Sequence, residues 1–113
     1  MTEIIPREQL QGNLFQGGEH GGIPISFFLA HSSPGGGPSL HKHPYEEIFV
    51  VQKGQATFTI GDTTHFLRGG QIVIAPANTP HKFKNTGEEP LQMITIHPGQ
   101  RPSQSGLRIE RLT

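Results

Sequence analysis

The chain has 113 residues, which suits a single domain with one modest hydrophobic core. Nine basic and nine acidic residues give a formal net charge of zero without any run of like charge, so neither a nucleic-acid partner nor a membrane surface is predicted. Cysteine is absent, which excludes disulfides and thiolate ligands, and no apolar run is long enough to span a bilayer. Residues 1–10 lack the apolar stretch of a signal peptide, and a cytoplasmic location is expected.

The composition is unusual in its glycine, proline and histidine content. The 15 glycines and 10 prolines lie between short apolar runs, which is typical of many turns joining short strands. Histidine is the commonest metal ligand and the usual acid–base side chain near neutral pH. Seven histidines therefore favour a site built from imidazoles, although at least three are expected to be ordinary surface residues. His20 and His65 are predicted to be among these surface residues.

The predicted elements follow one another as strand, turn and strand. Residues 7–11 predict one short turn of helix. Strands are predicted at residues 23–31, 39–43, 45–52, 55–60, 63–67, 71–75, 81–85 and 91–97. Short strands at a spacing of roughly 8 to 12 residues predict an all-β sandwich or barrel. No internal repeat or linker divides the chain, and the polar tail from residue 98 is not assigned an element.

The segment 41–51 carries the main functional signal. Side chains two apart on a strand share a face, so His41, His43 and Glu47 lie together if this segment is extended. The other residues of the same parity are Tyr45, Phe49 and Val51. Burying two imidazoles and a carboxylate without a partner is costly, and a metal ion bound by all three removes that cost. Glu46 has the opposite parity and is predicted to face outward.

His81 is the predicted fourth ligand. It opens a strand that continues with Phe83 at matching parity, and Pro76 and Pro80 stiffen the loop before it. Three nitrogens and one carboxylate oxygen suit a divalent ion such as Mn, Fe, Ni, Co, Zn or Cu. Four protein ligands on an octahedral ion leave two positions for water or substrate, as a catalytic site requires. From these residues alone, the alternative is a histidine-bearing loop that runs into a buried strand.

Two spaced motifs resemble those of the cupin superfamily, and the first contains three of the predicted ligands. Gly35 is followed after five residues by His41, then after one residue by His43. Three residues then precede Glu47, and six more precede Gly54. This spacing is similar to the first cupin motif at each of its defining positions.

The second motif contains the fourth predicted ligand. Gly70 is followed after five residues by Pro76, and His81 and Asn85 follow at the spacing of the second cupin motif. The sequence departs from this motif at Asn78, where the family usually has glycine. Asparagine tolerates positive φ better than most residues, so the turn is expected to form.

The resemblance implies a fold, a cofactor and an assembly. Residues 1–113 are expected to form one cupin domain, a six- to eight-stranded antiparallel jelly-roll β-barrel (double-stranded β-helix). Its core would span about 23–97, with an N-terminal extension at 1–22 and a C-terminal tail at 98–113. The resemblance also implies one divalent transition metal ion, a small-molecule ligand and, by analogy, a homodimer. The implied metal ligands are His41, His43, Glu47 and His81, and Asn85 would hold the barrel together at a strand end.

Other polar residues near the predicted barrel mouth are candidates for catalysis. Tyr45 shares the ligand parity and is a candidate hydrogen-bonding or proton-donating residue, or else a rim tyrosine whose hydroxyl meets water. His97 ends the last strand and is a candidate base, or else an exposed strand-end histidine. His31 has the parity of Phe27 and Leu29 and is a candidate to approach the cavity, or else a surface residue. The predicted apolar wall, or plain core, is Phe49, Phe58, Phe83 and Met93.

The sequence favours two classes of function. In the first, the protein is a metalloenzyme of dioxygenase, decarboxylase, lyase or isomerase type that acts on a small oxygen-rich molecule, with Glu47 leaving the metal to act as a base. In the second, it is a non-catalytic module that binds a small molecule or sugar. The intact ligand set favours the first class, while the native metal and the substrate are left open. A sensor domain detached from a DNA-binding domain is a third hypothesis, disfavoured by the zero net charge.

Overall fold

Two antiparallel sheets form the body of the protein. The computed structural model describes residues 2–102. Its eight strands are β1 (Leu14–Gln16), β2 (Ile25–Ser32), β3 (Glu47–Lys53), β4 (Gln55–Ile60), β5 (Thr63–Arg68), β6 (Ile72–Ala75), β7 (His81–Asn85) and β8 (Leu91–Pro98). Three short 3₁₀ helices span Arg7–Gln9, Gln11–Asn13 and Gly17–Glu19. Within residues 2–102, no helix has the length and apolar character needed to cross a membrane.

The strand order confirms the predicted jelly-roll architecture. One sheet has the order β1-β2-β8-β3-β6 and the other the order β5-β4-β7. Strand β8, the last strand within residues 2–102, lies between β2 and β3, so that His97 faces Ser26 across one ladder. Strands that are distant in sequence lie side by side and close the barrel. The start of β3 and the end of β8 therefore meet at one mouth.

The core lies between the two sheets and is built by strict alternation. In β3, β7 and β8 every second side chain is buried, as expected for strands with one face on a core. Phe58 is fully buried, with its ring centroid 5.0 Å from that of Phe49 and 5.6 Å from that of Phe83. Together with Met93, these three aromatic residues are the core predicted from the sequence.

The N-terminal segment contributes more to the fold than the sequence indicated. Residues 14–16, within the predicted extension 1–22, form β1, and Phe15 pairs with Phe27 of β2. The sheet therefore starts before residue 23. Of the predicted tail at 98–113, residues 103–113 lie outside the described part of the chain.

The predicted strand at 39–43 does not form. Only His41 is paired there, in a single bridge to His81. Pro38 and Pro44 bracket the segment, and each removes a backbone donor that a continuous ladder would need. The bridge nonetheless fixes His41 beside the start of β7.

The Gly-rich segment 34–38 lies against the end of β7. The Gly35 N–H donates to the Asn85 carbonyl and the Asn85 N–H donates to the Gly36 carbonyl, both at 2.8 Å. A Cβ at Gly37 would collide with the Phe83 carbonyl, so only glycine allows this approach. The segment is thus paired backbone to backbone with the end of β7.

Asn85 joins three parts of the chain at the end of the barrel opposite the four predicted ligands. Its Nδ2 donates to the Ser32 carbonyl at 2.9 Å and to the Glu89 carbonyl at 2.8 Å. Its Oδ1 accepts a hydrogen bond from the Gly87 N–H at 2.9 Å. Because the side chain is buried, all three bonds are shielded from water. This agrees with the role expected of Asn85.

Candidate metal centre

The four predicted ligands come together at one mouth of the barrel. One donor atom from each of His41, His43, Glu47 and His81 lies within 4.8 Å of all the others. Glu47 and His81 are buried, with 4% and 2% of their surface exposed, while His41 and His43 are half-buried. The site is therefore closed on the barrel side and open toward the mouth.

Backbone pairing fixes the two histidines that come from different motifs. The His41 N–H donates to the His81 carbonyl at 3.1 Å, and the His81 N–H donates to the His41 carbonyl at 2.8 Å. The His43 carbonyl accepts from the Asn78 N–H at 2.7 Å. Asn78 has a φ of 59°, so it takes the left-handed conformation expected at this departure from the motif. The loop before His81 is thereby tied to the segment that carries the first two ligands.

Two further hydrogen bonds set which ring nitrogen of each histidine faces the centre. The Nδ1–H of His41 donates to the Ser39 carbonyl at 2.7 Å, and the Nδ1–H of His81 donates to the Thr79 carbonyl at 2.9 Å. In the neutral rings both Nε2 atoms then carry lone pairs, which is the form that binds a metal. A backbone carbonyl two residues upstream sets the tautomer in both cases.

The contacts around Glu47 are those of a site built to hold a cation. The His81 Nε2 lies 2.9 Å from the Glu47 Oε1, so a neutral His81 places its lone pair against a carboxylate oxygen. The buried His43 Nε2 lies 3.3 Å from the same oxygen but has no hydrogen-bond partner. A buried polar atom without a partner costs about 1–3 kcal/mol. One divalent ion among these atoms would satisfy both nitrogens and the carboxylate.

The spacing of the donors also fits one ion. With metal–ligand distances of about 2.1 Å, two ligands on opposite sides of an ion stand about 4.2 Å apart. All four donor atoms already lie within 4.8 Å of one another. The arrangement thus matches a His₃Glu metal site with little rearrangement.

The electrostatics favour the ligand forms of these side chains. Burial by itself would raise the pKa of Glu47, but the protons that His43, His81 and His97 can direct at its oxygens outweigh burial and lower that pKa far below its usual range. A metal ion in the place of those protons would hold the carboxylate ionised in the same way. Burial lowers the pKa of His41, which keeps its ring neutral near neutral pH. An ionised carboxylate and a neutral imidazole are the states required for metal binding.

His97 and Tyr45 also belong to this cluster. His97 is only 4% exposed, and its Nε2 lies 3.2 Å from the Glu47 Oε2. The Tyr45 hydroxyl lies 2.8 Å from the His97 Nδ1, and the Tyr45 ring stacks on His43 with centroids 4.9 Å apart. The alternative in which His97 is exposed is wrong, and the Tyr45 hydroxyl contacts an imidazole. A catalytic role for either residue stays a prediction.

Of the two alternatives for His31, the structure has the surface residue and not the one that approaches the cavity. His31 is exposed and faces Gln92 across the β2–β8 ladder. The interior parity of β2 is even, since Ser26 is fully buried and Ala30 packs on the core. The buried Ser26, whose Oγ donates to the His97 carbonyl at 3.5 Å, has no sequence signal that would have marked it.

The remaining two histidines lie away from the centre. His65 is exposed, as predicted, with its Nε2 2.9 Å from the Thr63 Oγ1. His20 is half-buried on the surface, where it stacks on Phe15 and lies 2.9 Å from a carboxylate oxygen of Glu3.

Comparisons with curated proteins find relatives of named and unnamed function. Auxin-binding protein 1 of Arabidopsis thaliana is 34% identical over 86 residues, which is 68% of this chain and 43% of that protein. An uncharacterized protein of Methanocaldococcus jannaschii is 31% identical over 91 residues, covering 80% of this chain and 69% of that protein. The chain spans less than half the length of the Arabidopsis protein.

Solved structures with the same fold include an enzyme. A variant of oxalate decarboxylase from Bacillus subtilis superposes with a TM-score of 0.76 at 22% identity, covering 85% of this chain and 29% of that chain. A Thermus thermophilus protein gives a TM-score of 0.63 at 23% identity, covering 72% of this chain and 83% of that chain. At these identities the likeness is one of fold.

The family itself is settled by the match of a domain profile. The profile described as "Cupin domain" matches residues 28–97, which include both motifs, all four predicted ligands, five whole strands (β3 to β7) and most of β2 and β8. The chain therefore belongs to the cupin family.

Proposed function

We propose that the protein binds one divalent transition metal ion through His41, His43, Glu47 and His81 and uses it to act on a small oxygen-rich organic molecule. The observation that carries the proposal is the buried, partnerless Nε2 of His43 beside the ionised Glu47. Three imidazole nitrogens and one oxygen suit Mn, Fe, Co, Ni, Zn or Cu. Bound there, such an ion would supply Lewis-acid or redox chemistry to substrate oxygens.

The chain's own residues would perform three tasks in such a reaction. The ligand histidines are oriented in advance by carbonyl hydrogen bonds, so binding costs little rearrangement. The Phe49 ring, whose centroid lies 5.8 Å from that of His81, closes the floor of the site against water. Glu47 would hold an ionised carboxylate able to accept a proton from substrate.

Both classes of function occur among proteins similar to this chain. Oxalate decarboxylase of Bacillus subtilis is an enzyme, and one of its structures concerns its Mn(II) centers. The Arabidopsis relative is named for binding auxin. The intact ligand set in a preformed, half-open mouth supports the enzyme class here. The relative named for binding supports small-molecule capture as the second candidate.

The metal site is tested by metal analysis of protein purified without added metal. We expect about one transition metal ion per wild-type chain and almost none in His81→Ala. His65→Ala, which removes an exposed histidine away from the site, should keep the wild-type content. The proposal fails if the wild type carries no more metal than His81→Ala.

The choice between the two classes is tested with Fe- and Mn-loaded protein and a panel of small acids, diketones and flavonols. Turnover, followed as O2 uptake or CO2 release and absent from His81→Ala, supports the enzyme. Measurable binding without turnover across the panel would instead support the non-catalytic module.

A further inference from the structure

The two carboxylate oxygens of Glu47 face different partners at the mouth of the barrel. Oε1 lies 2.9 Å from the Nε2 of His81 and 3.3 Å from the Nε2 of His43. Oε2 lies 3.2 Å from the Nε2 of His97, which is buried beside it. His97 lies outside both sequence motifs, so this contact is one that the four predicted ligands do not explain.

The register of the five-stranded sheet places His97 next to Glu47. Ile48 of β3 pairs with Ile96 of β8, and both side chains point away from the core. The next residues toward the mouth, Glu47 and His97, therefore lie side by side with their side chains on the inner face. The contact between them is thus built into two paired strands.

The ring of His97 is also held by its other neighbours. The Tyr45 hydroxyl lies 2.8 Å from the His97 Nδ1. The rings of Phe28 and His43 meet the imidazole edge to face, with centroids 5.7 Å and 5.1 Å from its own. A buried ring in contact on several sides has little freedom to turn, so both of its nitrogens keep the same partners.

These partners place the proton of a neutral His97 on Nε2. A neutral imidazole has one N–H and one lone pair. A lone pair at Nε2 would face the carboxylate Oε2 of Glu47 across 3.2 Å, whereas an N–H at Nε2 donates to it. The Nδ1 lone pair then accepts from the Tyr45 O–H at 2.8 Å. Of the two neutral tautomers, only this one satisfies both contacts.

Two of the predicted ligands are set in the opposite tautomer. The Nδ1–H groups of His41 and His81 donate to backbone carbonyls, which leaves a lone pair on each Nε2. A carbonyl can only accept, whereas the Tyr45 hydroxyl can donate, and this difference reverses the tautomer at His97. The Oε1 side of Glu47 therefore meets lone pairs, which a cation would satisfy, and the Oε2 side meets a proton.

We propose that His97, held by Tyr45, hydrogen-bonds the Oε2 of Glu47 and so lets the carboxylate reach the metal through Oε1 alone. Both are positioning residues, and their role rests on the proposed metal site. A carboxylate can bind an ion through one oxygen or through two. On an octahedral ion, binding of Glu47 through two oxygens would leave one position open, whereas binding through one leaves two. The pair would thereby keep the site open to a small molecule that binds through two of its own oxygens.

The test reads Mn(II)-loaded protein in two ways. Water proton relaxivity reports the waters on the ion, and infrared difference spectra with isotope-labelled glutamate report the carboxylate, whose two stretching bands lie further apart when one oxygen binds than when two do. We expect His97→Leu to free Oε2, so that relaxivity falls about twofold as one of two waters is displaced. The two bands should move closer together. Both readings are taken at saturating Mn(II), so a change in affinity does not alter them.

His97→Gln and His97→Asn form a matched pair, because they carry the same amide at different reach. The glutamine amide nitrogen is as far along the side chain as the imidazole Nε2, so it can donate to Oε2 and should keep both wild-type readings. The asparagine amide reaches only as far as Nδ1 and should behave like His97→Leu. His65→Ala, at an exposed histidine away from the site, should match wild type.

Tyr45→Phe tests the other half of the pair. It keeps the ring that stacks on His43 but removes the hydroxyl that donates to the His97 Nδ1. The tautomer of His97 is then no longer fixed, so we expect a relaxivity between those of wild type and His97→Leu. A Tyr45→Phe variant equal to wild type in both readings would overturn the role of Tyr45.

The outcomes separate this role from the metal site itself. A wild type that binds no Mn(II) would overturn both. A wild type that binds Mn(II) but already shows the close bands of a carboxylate bound through two oxygens would overturn the positioning role alone. A folded His97→Leu with both wild-type readings would do the same. If His97→Leu does not fold, a His97→Asn that matches His97→Gln in both readings overturns the positioning role.

Discussion

The two ends of the barrel interior are built from the same strands but have opposite chemistry. Strand β3 passes from Glu47 to Phe49, and β7 from His81 to Phe83, in single steps of two residues along one face. At the mouth, polar side chains are gathered although the buried Nε2 of His43 has no hydrogen-bond partner. At the other end, aromatic rings fill the space. The aromatic end therefore stabilises the fold, whereas the polar mouth is arranged to receive a ligand. We call this the division between the two ends.

The largest effect that would test this division is expected at the apolar end. Phe58→Ala removes a fully buried ring that packs on Phe49 and Phe83, and the cavity should cost about 3–5 kcal/mol of the free energy of unfolding. Urea denaturation measures this loss. The folded fraction should keep its metal content, because the ligands lie at the other end. A folded Phe58→Ala that has lost its metal would contradict the separation of the two ends.

The next largest effect is expected when metal is added at the mouth of the barrel. Metal added to chelator-treated wild type should stabilise it by about 2.7 kcal/mol when the free ion is at 100 times its dissociation constant. His81→Ala should show no such gain in a thermal melt. Phe58→Ala should show the gain, but from a lower melting temperature than wild type. Equal gains in wild type and His81→Ala would mean that the ion acts elsewhere.

The smallest effect on stability is expected at Asn85, the end of β7 away from His81. Asn85→Ala removes three buried hydrogen bonds and leaves their backbone partners unpaired, which should cost about 1–3 kcal/mol of the free energy of unfolding. Thr64→Ala, on the exposed face of β5, should change it by less than about 0.5 kcal/mol. Metal affinity should stay unchanged in both. A loss of affinity in Asn85→Ala would show that the two ends are coupled.

The sequence predicted the mouth of the barrel better than its walls. The cluster of predicted ligands was recoverable because motif spacing and strand parity both place His41, His43 and Glu47 on one side of the segment 41–51. For His31 and His97 the alternatives stayed open, since β2 and β8 have apolar residues on both faces and alternation then cannot tell which face is inside.

Two local errors have simpler causes. Strand β1 has only three residues, which is too short for any periodic signal. The segment 39–43 alternates like a strand, but its flanking prolines limit it to one bridge. Both features depend on pairing with distant parts of the chain.

The ligand set has a mechanical consequence. Glu47 belongs to the five-stranded sheet and His81 to the three-stranded sheet, so an ion held by both would clasp the two sheets together. In a chain without cysteine, this clasp would be the counterpart of a cross-link. The sheets could then not part without breaking bonds to the ion, and the loaded protein should unfold more slowly than the metal-free one. Release of the metal and opening of the barrel would become a single event.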